Sequence, residues 1–216
     1  MNLRPLLLGH RGARANKSFI ENTFESFGQA LVDGCDGFEF DVRLSADGEA
    51  LVCHDPKIGA VKVAQATGKE LANLPRLEEV LKRYRQRVFL DIELKVAGLE
   101  KITARLLRQY SSGREFVVSS FLPEVLQEVH AEDPSIPLGL ICETKAELVR
   151  WRELPLACVI PHQALLRKKL IDEIRDAGKK IFVWTVNHPQ KMKRFAEWEV
   201  DGIISDDTKL LCQTLI

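Results

Sequence analysis

Glu39 and Asp41 lie two residues apart in D-G-F-E-F-D-V at 36–42. In an extended strand that spacing points both carboxylates to one face, while Phe38, Phe40 and Val42 take the other. The S-A-D-G at 45–48 is a turn signal. A returning strand over Ala50–Cys53 then carries His54 and Asp55 back beside the two carboxylates. Further along, V-F-L-D-I-E-L-K at 88–95 places Glu93 and Lys95 on one face of another strand. His10 and Arg11 follow the first apolar strand, Pro5–Gly9. Three carboxylates with room for water suit one divalent cation, Mg²⁺ or Ca²⁺, since both are hard ions that prefer oxygen ligands. Two imidazoles can act as acid and base near neutral pH. Arg11 and Lys95 offer positive charge to an anion. A cation, two imidazoles and two basic groups together describe cleavage of a phosphodiester, in which one His deprotonates the nucleophile and the other protonates the leaving oxygen. Each piece also has a plainer reading. The hairpin can present its polar face to solvent, His10 can bond backbone at a strand end, and Glu93–Lys95 can be an interior ion pair. Trp184 can be core, and Asp55 can orient His54 or make a turn. Asp91 reads as structural, and His130, His162 and His188 as surface or loop residues.

The elements that must position these groups alternate strand and helix, the pattern of a parallel sheet. Strands are expected near residues 6, 38, 89, 116, 138, 158, 181 and 202. The strand at 50–53 follows its predecessor too closely for a parallel crossover, which needs roughly a dozen residues. It is therefore an antiparallel appendage, and the remaining eight β/α units predict a TIM barrel, with an open doubly wound sheet as the alternative. Asn22 with Glu25 has capping-box spacing for the first helix, as Thr144 with Glu147 has for a helix reaching about Arg150. Ser205-Asp206-Asp207 is expected to cap the last helix. Residues 56–75 are irregular and are the place for a short insertion. In a barrel of this kind the polar residues at the C-terminal strand ends, including Ser119-Ser120 and Trp184, would face one site.

The totals exclude several classes. With 216 residues, 45% of them apolar and 29% charged, one well-packed domain spanning 1–216 is expected and disorder is not. Lys+Arg and Asp+Glu both number 31, so no global charge points to nucleic acid. Cys35, Cys53, Cys142, Cys158 and Cys212 are odd in number and show no CxxC spacing, which fits reduced, buried thiols in a cytoplasmic protein. The apolar run Leu6–Leu8 is too short for a signal peptide or a spanning helix, so no stable membrane insertion is expected. Oligomeric state is unknown from the sequence.

Taken in order, H-R-G at 10–12, E-N-T at 21–23, D-G-F-E-F-D-V at 36–42, H-D at 54–55, P-R-L-E-E-V-L at 75–81, I-E-L-K at 92–95, S-S-F at 119–121, V-W-T-V-N at 183–187 and D-G-I-I-S-D at 201–206 resemble the glycerophosphodiester phosphodiesterases. The resemblance implies a TIM barrel with a catalytic pair His10 and His54, a divalent cation held by Glu39, Asp41 and Glu93, and phosphate contacts from Arg11 and Lys95. It implies that Trp184 lines the pocket. The implied reaction takes a small-molecule glycerophosphodiester to sn-glycerol 3-phosphate and an alcohol, the substrate's own glycerol hydroxyl attacking first to give a cyclic phosphate. A lysophospholipase D activity on the same site is the alternative, motivated by the short 56–75 segment. Two departures stand out: Ile20 replaces the Pro usual before E-N-T, and 56–75 lacks the longer insertion with its Arg. Both leave the catalytic set intact and bear on the part of the pocket that selects the alcohol.

Overall fold

The computed structural model describes residues 4–110 and 115–216. Its strands, in chain order, are β1 (Leu6–His10), β2 (Gly37–Leu44), β3 (Ala50–Val52), the two-residue β4 (Lys57–Ile58) and β5 (Val61–Lys62), β6 (Phe89–Leu94), β7 (Phe116–Ser120), β8 (Leu138–Cys142), β9 (Cys158–Pro161), β10 (Lys180–Val183) and β11 (Gly202–Ser205). The helices are α1 (Phe24–Val32), α2 (Leu77–Tyr84), α3 (Glu100–Gln109), α4 (Pro123–Glu132), α5 (Lys145–Leu148), α6 (Lys168–Asp176), α7 (Pro189–Glu197) and α8 (Thr208–Leu215). Strands β1, β2 and β6–β11 pair in parallel, and β1 bonds both β11 (Leu6↔Gly202) and β2 (Leu8↔Gly37), which closes the barrel. The expected eight-stranded TIM barrel is thus the observed fold. β3 pairs antiparallel with β2 (Val42↔Val52), as the short connection requires.

Alternation along each strand sorts the side chains into two cores. Outward residues meet the helices. Phe27 of α1 stacks on Phe38 of β2 with ring centroids 4.2 Å apart, and Tyr84 of α2 meets Phe38 edge-on at 5.1 Å. Fully burying one such Phe contributes about 1.5–3 kcal/mol. Inward residues Leu8, Phe89, Val117, Ile141, Cys158, Ile160, Phe182 and Ile204 plug the barrel. Two glycines make room. A Cβ on Gly37 would sit 1.9 Å from the Phe89 carbonyl oxygen, and one on Gly202 would sit 2.7 Å from the Phe182 ring.

Several local expectations shift. Thr23, not Asn22, caps α1, its hydroxyl accepting from Ser26 N–H at 3.3 Å. The Thr144/Glu147 capping box forms, but α5 is a single turn continued by a 3-10 turn at Val149–Arg152. α6 begins at Lys168, several residues later than its apolar pattern. β10 ends at Val183, so Trp184 follows the strand, joined by a cis peptide to Thr185. No helix among the described residues is long and apolar enough to cross a membrane.

Candidate active site

The β1–α1 turn sets the first half of the site. Arg11 has φ 55° and Gly12 φ 82°. A Cβ at Gly12 would meet Ser26 Oγ, so Gly is required where Ser26 Oγ–H donates to the Arg11 carbonyl at 2.9 Å. This turn aims the Arg11 N–H at Glu39 Oε2, 3.0 Å away. It also brings the Arg11 guanidinium 3.0 Å from Asp41 Oδ2 and lets it donate to Glu21 Oε1 at 2.8 Å. Asn22, at φ 60°, turns inward and donates to Asp41 Oδ2 at 2.9 Å, which is why it is not a helix cap.

β2 and β6 run in register, Glu39 beside Asp91 and Asp41 beside Glu93. All four carboxylates are buried. Glu39, Asp41 and Glu93 each bring one oxygen within 4.8 Å of the others. Lys95 Nζ lies 2.6 Å from Glu93 Oε1 and 3.2 Å from Asp41 Oδ1. The balance of charge is uneven. Burial works against ionised Asp41, but Lys95, Arg11 and the Asn22 bond outweigh it and hold the carboxyl below its usual range. Glu39 is pushed well up by burial and by its acidic neighbours, foremost Asp41. Glu93 is raised to about 7, by burial first and then by Asp41. Glu39 Oε1 is buried without a hydrogen-bond partner among the described residues. Three convergent, under-satisfied carboxylates fit a hard divalent cation.

Two histidines border this cluster. His10 Nδ1 lies 2.7 Å from Asp206 Oδ1, and its Nε2 is 3.8 Å from Glu39 Oε2. Asp206 also accepts from Arg14 at 3.1 Å and from Asn187 at 2.6 Å. Burial raises the Asp206 carboxyl, but His10, Asn187 and Arg14 overcome this and leave it strongly depressed. β3 delivers His54, whose Nδ1 is 2.8 Å from Asp55 Oδ1 and whose carbonyl accepts from Arg43 Nε at 2.6 Å. Burial lowers the His54 pKa. A carboxylate on Nδ1 requires an N–H there, so in each neutral ring Nε2 carries the lone pair.

Both imidazoles, Arg11, Glu39, Asp91, Glu93, Lys95 and Trp184 line one cavity of about 330 Å³. Trp184 Nε1–H donates to the Ile160 carbonyl at 3.0 Å, and the ring meets Phe121 and His162 edge-on at 5.5 and 5.4 Å. The structure therefore brings together every site residue expected from the sequence. It adds Asn22, Glu21, Asp206, Asp91 and His162. Glu21, Asn22 and Asp206 lay within quoted motifs, but motif membership names no partner. His162 carried no signal at all.

The chain matches the family model described as the glycerophosphoryl diester phosphodiesterase family over residues 10–88 and 65–210. It belongs to this family. The matched residues contain His10, His54, the three convergent carboxylates and Asp206. The Bacillus subtilis protein YhdW is 31% identical over 230 residues, covering 93% of each chain. A glycerophosphodiester phosphodiesterase of Caldanaerobacter subterraneus is 28% identical, covering 97% of both. The crystal structure of the Thermotoga maritima glycerophosphodiester phosphodiesterase superposes with a TM-score of 0.85 at 26% identity, covering 98% of both chains. As a glycerophosphoryl diester phosphodiesterase family member the chain is a phosphoric diester hydrolase.

Proposed function

We propose that this enzyme hydrolyses glycerophosphodiesters to sn-glycerol 3-phosphate and an alcohol, with His10 and His54 as its acid–base pair. The observation that carries the reading is the pairing of two imidazoles, each held at Nδ1 by a carboxylate, on one cavity with three convergent carboxylates. Glu39, Asp41 and Glu93 would hold one divalent cation, Mg²⁺ or Ca²⁺, which when bound offsets the negative charge of the phosphate oxygens. Arg11 and Lys95 line the same cavity and present N–H donors to the phosphate. One imidazole takes the proton of the attacking glycerol hydroxyl at its Nε2. The other, protonated, gives a proton to the alkoxide that departs as the P–O bond breaks. The cyclic phosphate is then opened by water with the two roles exchanged. Trp184 and Phe121 form the apolar wall against which the carbon skeleton of the substrate packs. Proton transfer by a positioned side chain contributes about 10²–10⁴-fold, so removing either imidazole costs that much.

The test is release of glycerol 3-phosphate from glycerophosphocholine, glycerophosphoethanolamine and glycerophosphoglycerol, each with Mg²⁺, with Ca²⁺ and with EDTA. Turnover abolished by EDTA, and lost in both His10→Ala and His54→Ala, supports the reading. Full activity in either variant refutes the acid–base assignment. Faster turnover of lysophosphatidylcholine than of glycerophosphocholine would move the substrate to lysophospholipids while keeping the site, a reading that the apolar wall and the short 56–75 segment favour.

A further inference from the structure

Beside the three convergent carboxylates lies a fourth. Asp91 is fully buried, lines the cavity and is the Cα partner of Glu39 across β2 and β6. It stands two residues before Glu93, on the same face of β6 and deeper in the barrel. Ser119 Oγ–H donates to Asp91 Oδ1 at 2.5 Å and fixes the rotamer, while Oδ2 is buried with no hydrogen-bond partner among the described residues. Burying a carboxylate oxygen with nothing to donate to it is costly, and a packed interior has no reason to retain one. Formally, Glu39, Asp41, Asp91 and Glu93 against Arg11 and Lys95 leave two negative charges, which one divalent cation cancels.

We propose that Asp91 is a positioning residue of the cation site: its Oδ2 accepts a hydrogen bond from a water molecule on the cation, and Ser119 holds it in place to do so. The proposal rests on the cation reading above. Mg²⁺ in particular sheds its hydration reluctantly and keeps several waters in protein sites, so a carboxylate a layer below Asp41 and Glu93, level with Glu39 but one carbon shorter, meets water, not the ion. Such outer groups orient the inner ligands, and their loss typically weakens metal binding about 10–100-fold. Asp91→Asn keeps the shape and one acceptor but removes the charge. Ser119→Ala keeps the charge but frees the rotamer.

Calorimetric titration of metal-free enzyme with MgCl₂ and with CaCl₂ reads the effect without turnover. Asp91→Asn is expected to weaken cation binding about 10–100-fold. Ser119→Ala is expected to weaken it less, by several-fold. Glu39→Gln, which alters a direct ligand, serves as the reference. Loss of binding in Glu39→Gln with Asp91→Asn within twofold of the parent protein would overturn the role of Asp91 and leave the cation reading intact. Absence of binding in the parent protein, with turnover that EDTA does not touch, would overturn both. Should Asp91→Asn fail to fold, an unchanged affinity in Ser119→Ala overturns the proposal on its own.

Discussion

Replacing Asp206 by Asn should damage the enzyme more than replacing it by Ala, and the reason lies in the hydrogen-bond inventory. Asp206 accepts on both oxygens, from His10 and Arg14 on Oδ1 and from Asn187 Nδ2 on Oδ2. An Asn side chain keeps one acceptor and gains a donor. Asn187 cannot turn to match it, because its Oδ1 already takes the Ser205 hydroxyl at 3.0 Å and the residue 206 N–H at 2.9 Å. Keeping the short Asn187 bond turns the new amide oxygen to Asn187 and the new NH₂ to His10 and Arg14, so the Arg14 N–H also loses its acceptor. That forces His10 Nδ1 to accept, moves the ring proton to Nε2 and removes the lone pair from the atom facing the cavity. Losing one charge-assisted hydrogen bond costs about 1.5–3 kcal/mol, or roughly 10–150-fold. On the proposed role of His10, losing the correct tautomer puts the whole acid–base contribution at stake, about 10²–10⁴-fold. Asp206→Ala loses the bond but leaves the ring free to adopt either tautomer, so it falls near the smaller figure. Steady-state kinetics on glycerophosphocholine at saturating Mg²⁺ separate the cases, the loss appearing in kcat with little change in KM. Asp206→Asn within threefold of the parent protein, or more active than Asp206→Ala, would refute this account of the His10–Asp206 pair.

The raised carboxyls give metal-free protein a pH dependence of definite sign. Asp91 and Glu93 hold protons up to about 7 when folded, against ordinary values of 3.8 and 4.5. Between those limits these two groups, with Glu39 raised in the same direction, make the native state bind more protons than the unfolded chain, so their contribution to stability falls as pH rises from about 4 through about 7, against a smaller opposite contribution from the lowered His54. Thermal melting in EDTA should give a higher Tm at pH 5.5 than at pH 7.5, with saturating Mg²⁺ erasing the difference; a Tm flat over this range without cation would contradict the assignment. Lys95→Met leaves Asp41 and Glu93 without their nearest ammonium, at 3.2 and 2.6 Å, and should destabilise metal-free enzyme by about 3–5 kcal/mol. Denaturant melts with and without Mg²⁺ check this, since added cation should recover part of the loss. Gly37→Ala drives a methyl to 1.9 Å from the Phe89 carbonyl in the β2–β6 ladder. It should cost about 3 kcal/mol or more, read as a lower urea midpoint or as insoluble protein; a parent-like midpoint would mean the ladder gives way easily.

The close spacing of acidic and basic residues was legible before any fold was known. Period-two alternation alone dictates that Glu39 and Asp41 share a face, and that Glu93 and Lys95 do. The short link from 44 to 50 dictates an antiparallel return that carries His54 to the same strand end, and the count of β/α units favours an eight-stranded barrel over an open sheet. Each of these is a local rule, acting over a few residues or on the order of the chain. The partners of those groups were decided elsewhere. Asp206 looked like a helix cap because it precedes α8, but Asp207 caps that helix and Asp206 turns to His10, 196 residues away in sequence. Asn22 abandons the helix start for the same kind of reason, since the buried Asp41 carboxylate needs a donor more than an exposed helix end does. Alternation puts Asp91 on the face of Glu93 and Lys95, where it reads as structural, and closure of β1 onto both β2 and β11 walls the cavity that it lines. His162, outside every motif, and Trp184, inside V-W-T-V-N, are neighbours because β9 and β10 end at the same rim. Sequence periodicity fixes the face on which a side chain points. Barrel closure fixes what that face meets, because the hydrogen bonds and charges that satisfy a buried group come from strands far apart in the chain.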